Sequence, residues 1–584
     1  MVKGHHCTQG FAPQGLFLPS KLPSDWYLRL FRQIISLGAQ KGHRESGIPD
    51  TGSRPSIWCA SRRLTPELMS DSRCPVCPTP VSGIIPSLVR LVPVFGLTLT
   101  LLAGCSGSSR PSAMTRLHPC VTDEGPTDAL CGTLKVFEDR QNRTGRQISL
   151  NVVVLPAVGS GTNDPLFFLA GGPGQGAAQL APQLRAVFRP IQKSRDIVLV
   201  DQRGTGKSHP LECRSNEDSL TGLMEPEGAV AERLRKCLAG YDADVRLYTT
   251  PIAMDDLDQV REWLAYDQIN LYGGSYGTRA ALVYVRQHGD HVRSMILDGV
   301  APTDMRLPLF VARDAQRSID TWLGRCEADS GCRAKYPNLQ ARVRTLLQRL
   351  AAMPVRLRMV HPRTGITEET QIDARTVASL LFGALYSPIT ASMLPALIER
   401  AEHDDFQSLL ALGMADDGTG GVSVGMQLSV LCSEDSPLVT RTDLDRENTG
   451  NMFGDLLFAD QITACGFWPR GAIDASYYKP VASDVPALVL SGELDPITPP
   501  TWGEEVVSHL SHARHFTAAV SGHGVIGTPC GVRLIQEFLE RGSASDLDGT
   551  CLKTIKGPPF FLTPAGPDPK GHVGVPRLRS GQAR

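Results

Sequence analysis

The chain has 584 residues, with 59 basic and 60 acidic side chains and a formal net charge of −1. That length allows two or three domains and a large buried core. The balanced charge lacks the basic surplus of a nucleic-acid binder, so no nucleic-acid partner is expected. Fifteen cysteines are many for a reducing compartment and direct attention to export.

Residues 1–88 show no sustained periodicity and are rich in Pro, Ser, Arg and Gly. They read as an unassigned leader, disordered or upstream of the true start, which is expected at Met69 or near Val81 or Val89. The Cys74–Cys77 pair in this stretch is an isolated CxxC and receives no role. Residues 89–105 then combine Arg90, an apolar run and Leu-Ala-Gly-Cys. The run is too short, and too interrupted by Pro93 and Gly96, to span a membrane comfortably. It resembles a bacterial lipoprotein signal, in which Cys105 is lipidated and becomes the mature N-terminus. The expectation is an exported protein on the periplasmic or extracellular side of a bacterial envelope, touching membrane through a lipid anchor only. Residues 106–118, Gly/Ser-rich at first, read as a linker.

From Cys131 two alternating runs, CGTLKVFEDR and RQISLNVVVLPA, predict an antiparallel hairpin. Short, nearly continuous apolar runs follow: PLFFLA (165–170), DIVLVD (196–201), INLY (269–272), SMILDG (294–299) and PALVLSG (486–492). Such runs suit parallel strands buried on both faces. Helical patterns separate several of them. In MDDLDQVREWLAYD, Leu257, Val260 and Leu264 share a face, and the early aspartates suit a helix N-terminus. The alternation of strand and helix predicts an α/β class fold with a mostly parallel sheet. It pauses near residue 303 and resumes near 485. The expected layout is an α/β core over 119–302 and 481–552, a mainly helical cap over 303–480, and a disordered Pro/Gly-rich tail over 553–584.

Gly273-Gly274-Ser275-Tyr276-Gly277 follows a predicted strand and opens a predicted helix. This is the setting of a nucleophile elbow, where side chains two before and two after the serine would clash and glycine is needed. A serine hydroxyl attacks only when a histidine takes its proton and a carboxylate orients that histidine. Asp495, just past the PALVLSG strand, and His523, in the loop of AAVSGHGVIG, follow the serine in the order acid then base. Asp298 is the reserve acid and Glu493 a weaker one. The tetrahedral oxyanion needs two backbone N–H donors. Tyr276 supplies one. Gly171-Gly172-Pro173-Gly174 supplies the other, assigned to Gly172 because Pro173 has no N–H. DQRGTGKS at 201–208 lacks the first glycine of a phosphate loop, and Pro210 interrupts the helix such a loop requires. Asp201, Arg203 and Gly204 therefore read as a structural turn beneath the site.

The GGPG, DQRGTGKS, GGSYGT, SGELDPITP and SGHG stretches resemble the α/β-hydrolase exopeptidases of the prolyl aminopeptidase and tripeptidyl aminopeptidase group, over roughly residues 119–552. Ala170 stands where prolyl aminopeptidases often carry histidine, which shifts weight toward the secreted tripeptidyl-type members. The resemblance implies an α/β-hydrolase fold with a helical cap and serine-dependent release of residues from free peptide N-termini. An aminopeptidase must meet a desolvated ammonium with carboxylate. Glu434 and Asp435, in a stretch similar to the Cys-x-Glu-Asp motif of secreted members, are the expected substrate-binding anchor. The same triad also serves carboxylic ester hydrolysis, the alternative activity. A non-catalytic peptide-binding lipoprotein, the third possibility, has no need of an activated serine.

Leaving Cys105 aside, the ten later cysteines fall into neighbouring pairs: Cys120–Cys131, Cys213–Cys237, Cys326–Cys332, Cys432–Cys465 and Cys530–Cys551. An even count is what an oxidised protein shows. No cluster has zinc-like spacing, so neither metal nor cofactor is expected.

Overall fold

The computed structural model describes residues 115–567 apart from 123–124, 216–218, 221–224, 226–227, 415–420 and 564–565. The leader, the signal-like run with Cys105, residues 106–114 of the linker and the end of the tail lie outside the described residues. The strands, in chain order, are β1 (His118–Thr122), β2 (Gly125–Phe137), β3 (Gln147–Leu155), β4 (Leu166–Leu169), β5 (Ile197–Val200), β6 (Ile269–Gly274), β7 (Val292–Asp298), β8 (Val355–Val360), β9 (Thr367–Ile372), β10 (Ala487–Gly492) and β11 (Ala513–Ala518). Nine of them form one sheet, in the order β1-β2-β3-β5-β4-β6-β7-β10-β11. The predicted hairpin is β2 against β3, antiparallel, with Leu134 opposite Leu150. From β5 onward every neighbouring pair is parallel.

The apolar runs are buried along their whole length because both faces of the sheet are covered. Phe167, Leu169, Val198 and Leu271 join one core. Their neighbours in sequence, Leu166, Phe168, Leu199 and Tyr272, join the other. Period-two alternation cannot appear in such strands, since neither face meets water. This is the mostly parallel, helix-flanked sheet of the α/β-hydrolase fold.

Helix α1 (Thr250–Trp263) starts five residues before the aspartates that mark its expected N-terminus. Pro251 sits in its first turn, where a missing N–H costs nothing, and so sets the true start. The aspartates serve elsewhere. Asp256 binds the buried guanidinium of Arg203, with Nε to Oδ2 at 2.7 Å. Arg203 also donates to the carbonyls of Glu138 and Leu247. Asp201 accepts from the Ala178 and Lys207 amides and from the Asn151 side chain. Their bonds fasten the DQRG turn to its surroundings. Helix α2 (Tyr276–His288) follows β6 directly.

Between β7 and β10 the chain is mainly helical, with β8 and β9 as its only regular strands among the described residues. This insertion includes α3 (Leu307–Ala328), α4 (Ala374–Ala384) and α5 (Val424–Val430). Its apolar core takes in Leu494, Ile497, Trp502 and Val520 from the sheet's own connections, so insertion and sheet share packing. The start of the predicted tail also differs from expectation. Phe560 stands edge-on to Trp322, and the Phe561 amide donates to the Ser392 carbonyl, so apolar packing outweighs the Pro/Gly-rich composition there. All five cysteine pairs are disulfides. Among the described residues no helix is long and apolar enough to cross a membrane.

Candidate active site

Ser275 lies between β6 and α2 with φ 55° and ψ −125°. A non-glycine residue with positive φ is strained and needs its surroundings to hold it. Its amide donates to the Asp298 carbonyl at 2.9 Å. Its carbonyl accepts from Thr278 Oγ1 at 2.6 Å. The flanking glycines are sterically required. A Cβ on Gly273 would lie 2.3 Å from the Gly277 oxygen, and one on Gly277 would lie 2.1 Å from the Leu169 oxygen. The turn thus closes on itself and on the end of β4. Side chains on Gly273 and Gly277 have no room, and the serine stands half-buried at its crest. The loop that follows β4 runs beside it: a Cβ on Gly171 would sit 3.2 Å from Ser275 Cβ. Gly172, the expected second oxyanion donor, is the next residue along that loop, while Tyr276 opens α2.

Asp495 and His523 come together across the ends of β10 and β11. His523 Nδ1 donates to Asp495 Oδ2 at 2.8 Å, and Thr498 Oγ1 donates to the same oxygen at 2.8 Å. Asp495 Oδ1 accepts from the Ile497 and Thr498 amides. Burial favours the neutral carboxyl, but the facing imidazolium and these donors outweigh it and hold Asp495 below the ordinary carboxylate range. Burial likewise opposes charge on His523; the Asp495 carboxylate, with a smaller contribution from Asp298, outweighs it and holds the imidazole above its usual value. With Nδ1 committed to the acid, Nε2 is the ring's basic nitrogen. The His523 ring lies against Gly299, the residue after the carbonyl that anchors Ser275, with a Cβ there 3.3 Å from Cε1. Base and serine therefore converge at the end of β7. No hydrogen bond joins the two side chains in this arrangement; such bonds commonly tighten only once substrate is bound.

The reserve acids are occupied otherwise. Asp298 accepts from Tyr272 OH at 2.6 Å and from the Val525 and Ile526 amides, fastening the loop that carries His523. Glu493 accepts from the Val520 amide at 2.8 Å.

Glu434 and Asp435 end a π-helical turn, Leu431–Asp435, that continues α5. Such turns recur at functional sites. Glu434 is fully buried. It accepts from the Thr250 amide at 2.6 Å, from Thr250 Oγ1 at 2.8 Å and from Tyr477 OH. Thr250 Oγ1 also meets Tyr276 OH at 2.7 Å, so one hydroxyl links Glu434 to the residue next to Ser275. Asp435 pairs with Arg279 at 2.9 Å, both side chains almost wholly buried. Burial pushes both carboxyls up; the shared Arg279 guanidinium only partly offsets it. The Cys432–Cys465 disulfide closes 33 residues of chain around this turn.

Sequence reading missed Thr498, Thr250, Arg279 and Tyr477, and three groups of the insertion. Arg317 Nη2 donates to the Asp495 carbonyl at 2.6 Å and Nη1 to the Glu493 carbonyl at 3.0 Å. Ser318 Oγ donates to the Leu494 carbonyl at 2.7 Å. The Tyr386 carbonyl accepts from the His523 amide at 2.8 Å, and its ring stands edge-on to the imidazole. Only Arg279 carried a signal, one turn after the serine in GGSYGTRAAL.

Fold and site together define a hydrolase of the α/β-hydrolase fold. Residues 164–379 match the alpha/beta hydrolase fold family, and residues 450–551 match the family described as TAP-like protein. The chain is 25% identical over 418 residues to serine protease Hip1 of Mycobacterium tuberculosis, covering 66% of this chain and 80% of that one. It is 24% identical over 461 residues to tripeptidyl aminopeptidase of Streptomyces coelicolor, covering 73% and 83%. Over 136 residues it is 32% identical to proline iminopeptidase of Neisseria gonorrhoeae, covering 23% and 32%. The chain is a serine peptidase of the α/β-hydrolase fold, similar to the tripeptidyl aminopeptidases and proline iminopeptidases.

Proposed function

We propose that the protein is an exported serine aminopeptidase of prolyl or tripeptidyl type. Ser275 Oγ attacks the scissile carbonyl while His523 Nε2 takes its proton and Asp495 steadies the imidazolium. The Gly172 and Tyr276 amides receive the oxyanion. The C–N bond breaks as the imidazolium returns the proton to the departing amine. Water, deprotonated by the same imidazole, then releases the acyl group as a carboxylic acid and restores Ser275.

The observation that carries the aminopeptidase reading is a charge imbalance next to the elbow. Two fully buried acids, Glu434 and Asp435, face one buried guanidinium, Arg279, while half-buried Arg306 acts more weakly on Asp435. A substrate ammonium is the cation that would complete the set, and the Thr250 hydroxyl shared by Glu434 and Tyr276 supports its binding close to Ser275. An ester hydrolase has no use for that excess negative charge. The five disulfides favour an oxidising compartment outside the cytosol, in keeping with lipidation at Cys105.

The test compares peptide anilides with free and acetylated N-termini. Acetylation is expected to lower kcat/KM at least about 100-fold, the weight of a buried charge left unpaired. Equal rates on both substrates would overturn the ammonium anchor.

A further inference from the structure

Away from the catalytic groups, α1, α2 and the turn after α2 bring Asp258, His288 and His291 together. One ligating atom from each lies within 4.8 Å of the others. His288 closes α2, and His291 closes the 3-10 turn Gly289–His291. The two imidazoles are nearly parallel, at 5° and 6.2 Å between centroids, both turned to the same carboxylate. His291 Nδ1 meets Asp258 Oδ1 at 2.7 Å. His288 Nδ1 faces Asp258 Oδ2 at 3.8 Å, too far for a hydrogen bond. It is close to the roughly 3.3 Å that separates two donors on a tetrahedral metal with bonds of about 2.0–2.1 Å.

The geometry points to a site for one divalent transition metal of the Zn2+ class, held by His288 Nδ1, His291 Nδ1 and Asp258. The donor set favours that class over Ca2+ or Mg2+, which take oxygen ligands. The second observation is how the His288 ring is held. Its Nε2 meets Asp255 Oδ1 at 3.0 Å, which leaves Nδ1 as the available donor. A carboxylate on the far nitrogen of a ligating imidazole is the usual support of metal-bound histidine. Asp258 is itself fixed by Tyr284 OH and by the Arg261 side chain. The Arg261 guanidinium opposes a second cation, and the nearby carboxylates of Asp255 and Glu262 counter it. Asp255, Asp258, Glu262 and His288 line one cavity of about 860 Å³, shared with Lys135, Arg140, Arg143 and Arg246, through which an ion enters past the acidic wall and which leaves the fourth position to water. On binding, His291 exchanges its hydrogen bond to Asp258 for the metal. The ion then clips the end of α2, the helix that Ser275 immediately precedes, to α1, the helix whose first residue holds Glu434.

The test is calorimetric titration of the untagged exported chain with Zn2+, with the thermal midpoint read in parallel. The wild type is expected to bind one ion at micromolar concentration or tighter and to melt higher with Zn2+ than with chelator. His288→Ala/His291→Ala is expected to lose that binding and the thermal gain while retaining peptidase turnover, which certifies its fold. Asp255→Asn is expected to weaken binding by about tenfold. Replacing Zn2+ by Co2+ in the wild type is expected to give the intense visible band of a tetrahedral complex, a readout independent of any variant. Absence of wild-type binding up to 100-fold above the micromolar range, or an unchanged affinity in the double variant, would overturn the site.

Discussion

The two halves of the candidate site are built by different means. Ser275 is placed by its own neighbourhood: a strand end, a helix start and two glycines whose absent side chains let the turn close on Gly277 and Leu169. Asp495 and His523 sit on connections of the same sheet, yet much of what holds them comes from far along the chain. Arg317 and Ser318 on α3 grip the carbonyls of residues 493–495, and Tyr386 after α4 receives the His523 amide. Leu494 and Ile497, on either side of the acid, are buried in the insertion's core. The candidate nucleophile is thus a local product of the sheet, while its proposed partners are a joint product of sheet and insertion.

The sharpest way to break the first half is Gly277→Ala. The new methyl would overlap the Leu169 carbonyl, and neither backbone can give without dislodging the elbow. The expected outcome is a loss of about 3 kcal/mol in urea denaturation, with turnover abolished. For the second half, Arg317→Ala releases the Asp495 loop without touching a reacting atom. A drop of about 100-fold in kcat with KM nearly unchanged is expected from steady-state kinetics. A matching rise in KM with unchanged kcat would assign Arg317 to substrate binding instead.

The smallest effect is in pH. His523 is held above its ordinary value, so the free imidazole appears only above pH 6.5, and the acid limb of kcat/KM is expected there. In Arg317→Ala the looser acid brings that limb down toward 6.5. The same pair contributes to stability with opposite signs. The His523 contribution is complete below pH 6.5 and is lost as pH rises through the raised value. The Asp495 contribution is present above pH 3.8 and is lost as pH falls through the lowered one.

The same division explains how much the amino-acid sequence discloses. Parallel strands buried on both faces show as apolar runs such as Ile197–Val200, and the elbow shows because its steric demand falls on Gly273 and Gly277 within five residues. Asp495 and His523 are readable from their order and loop settings. Arg317, Ser318 and Tyr386 carry no pattern, since each acts through a backbone group more than 130 positions away. The start of α1 is ambiguous in the sequence because aspartates and Pro251 both mark helix beginnings, and here the proline decides.

The grip of the insertion on residues 493–495 and 523 bears on protein engineering. Exchanging the whole segment with that of a relative, to redirect specificity, would leave three carbonyls and one amide of the catalytic connections without their partners. Chimeras that graft only the surfaces facing substrate, and keep Arg317, Ser318 and the backbone at Tyr386 in place, are the designs that should still turn over.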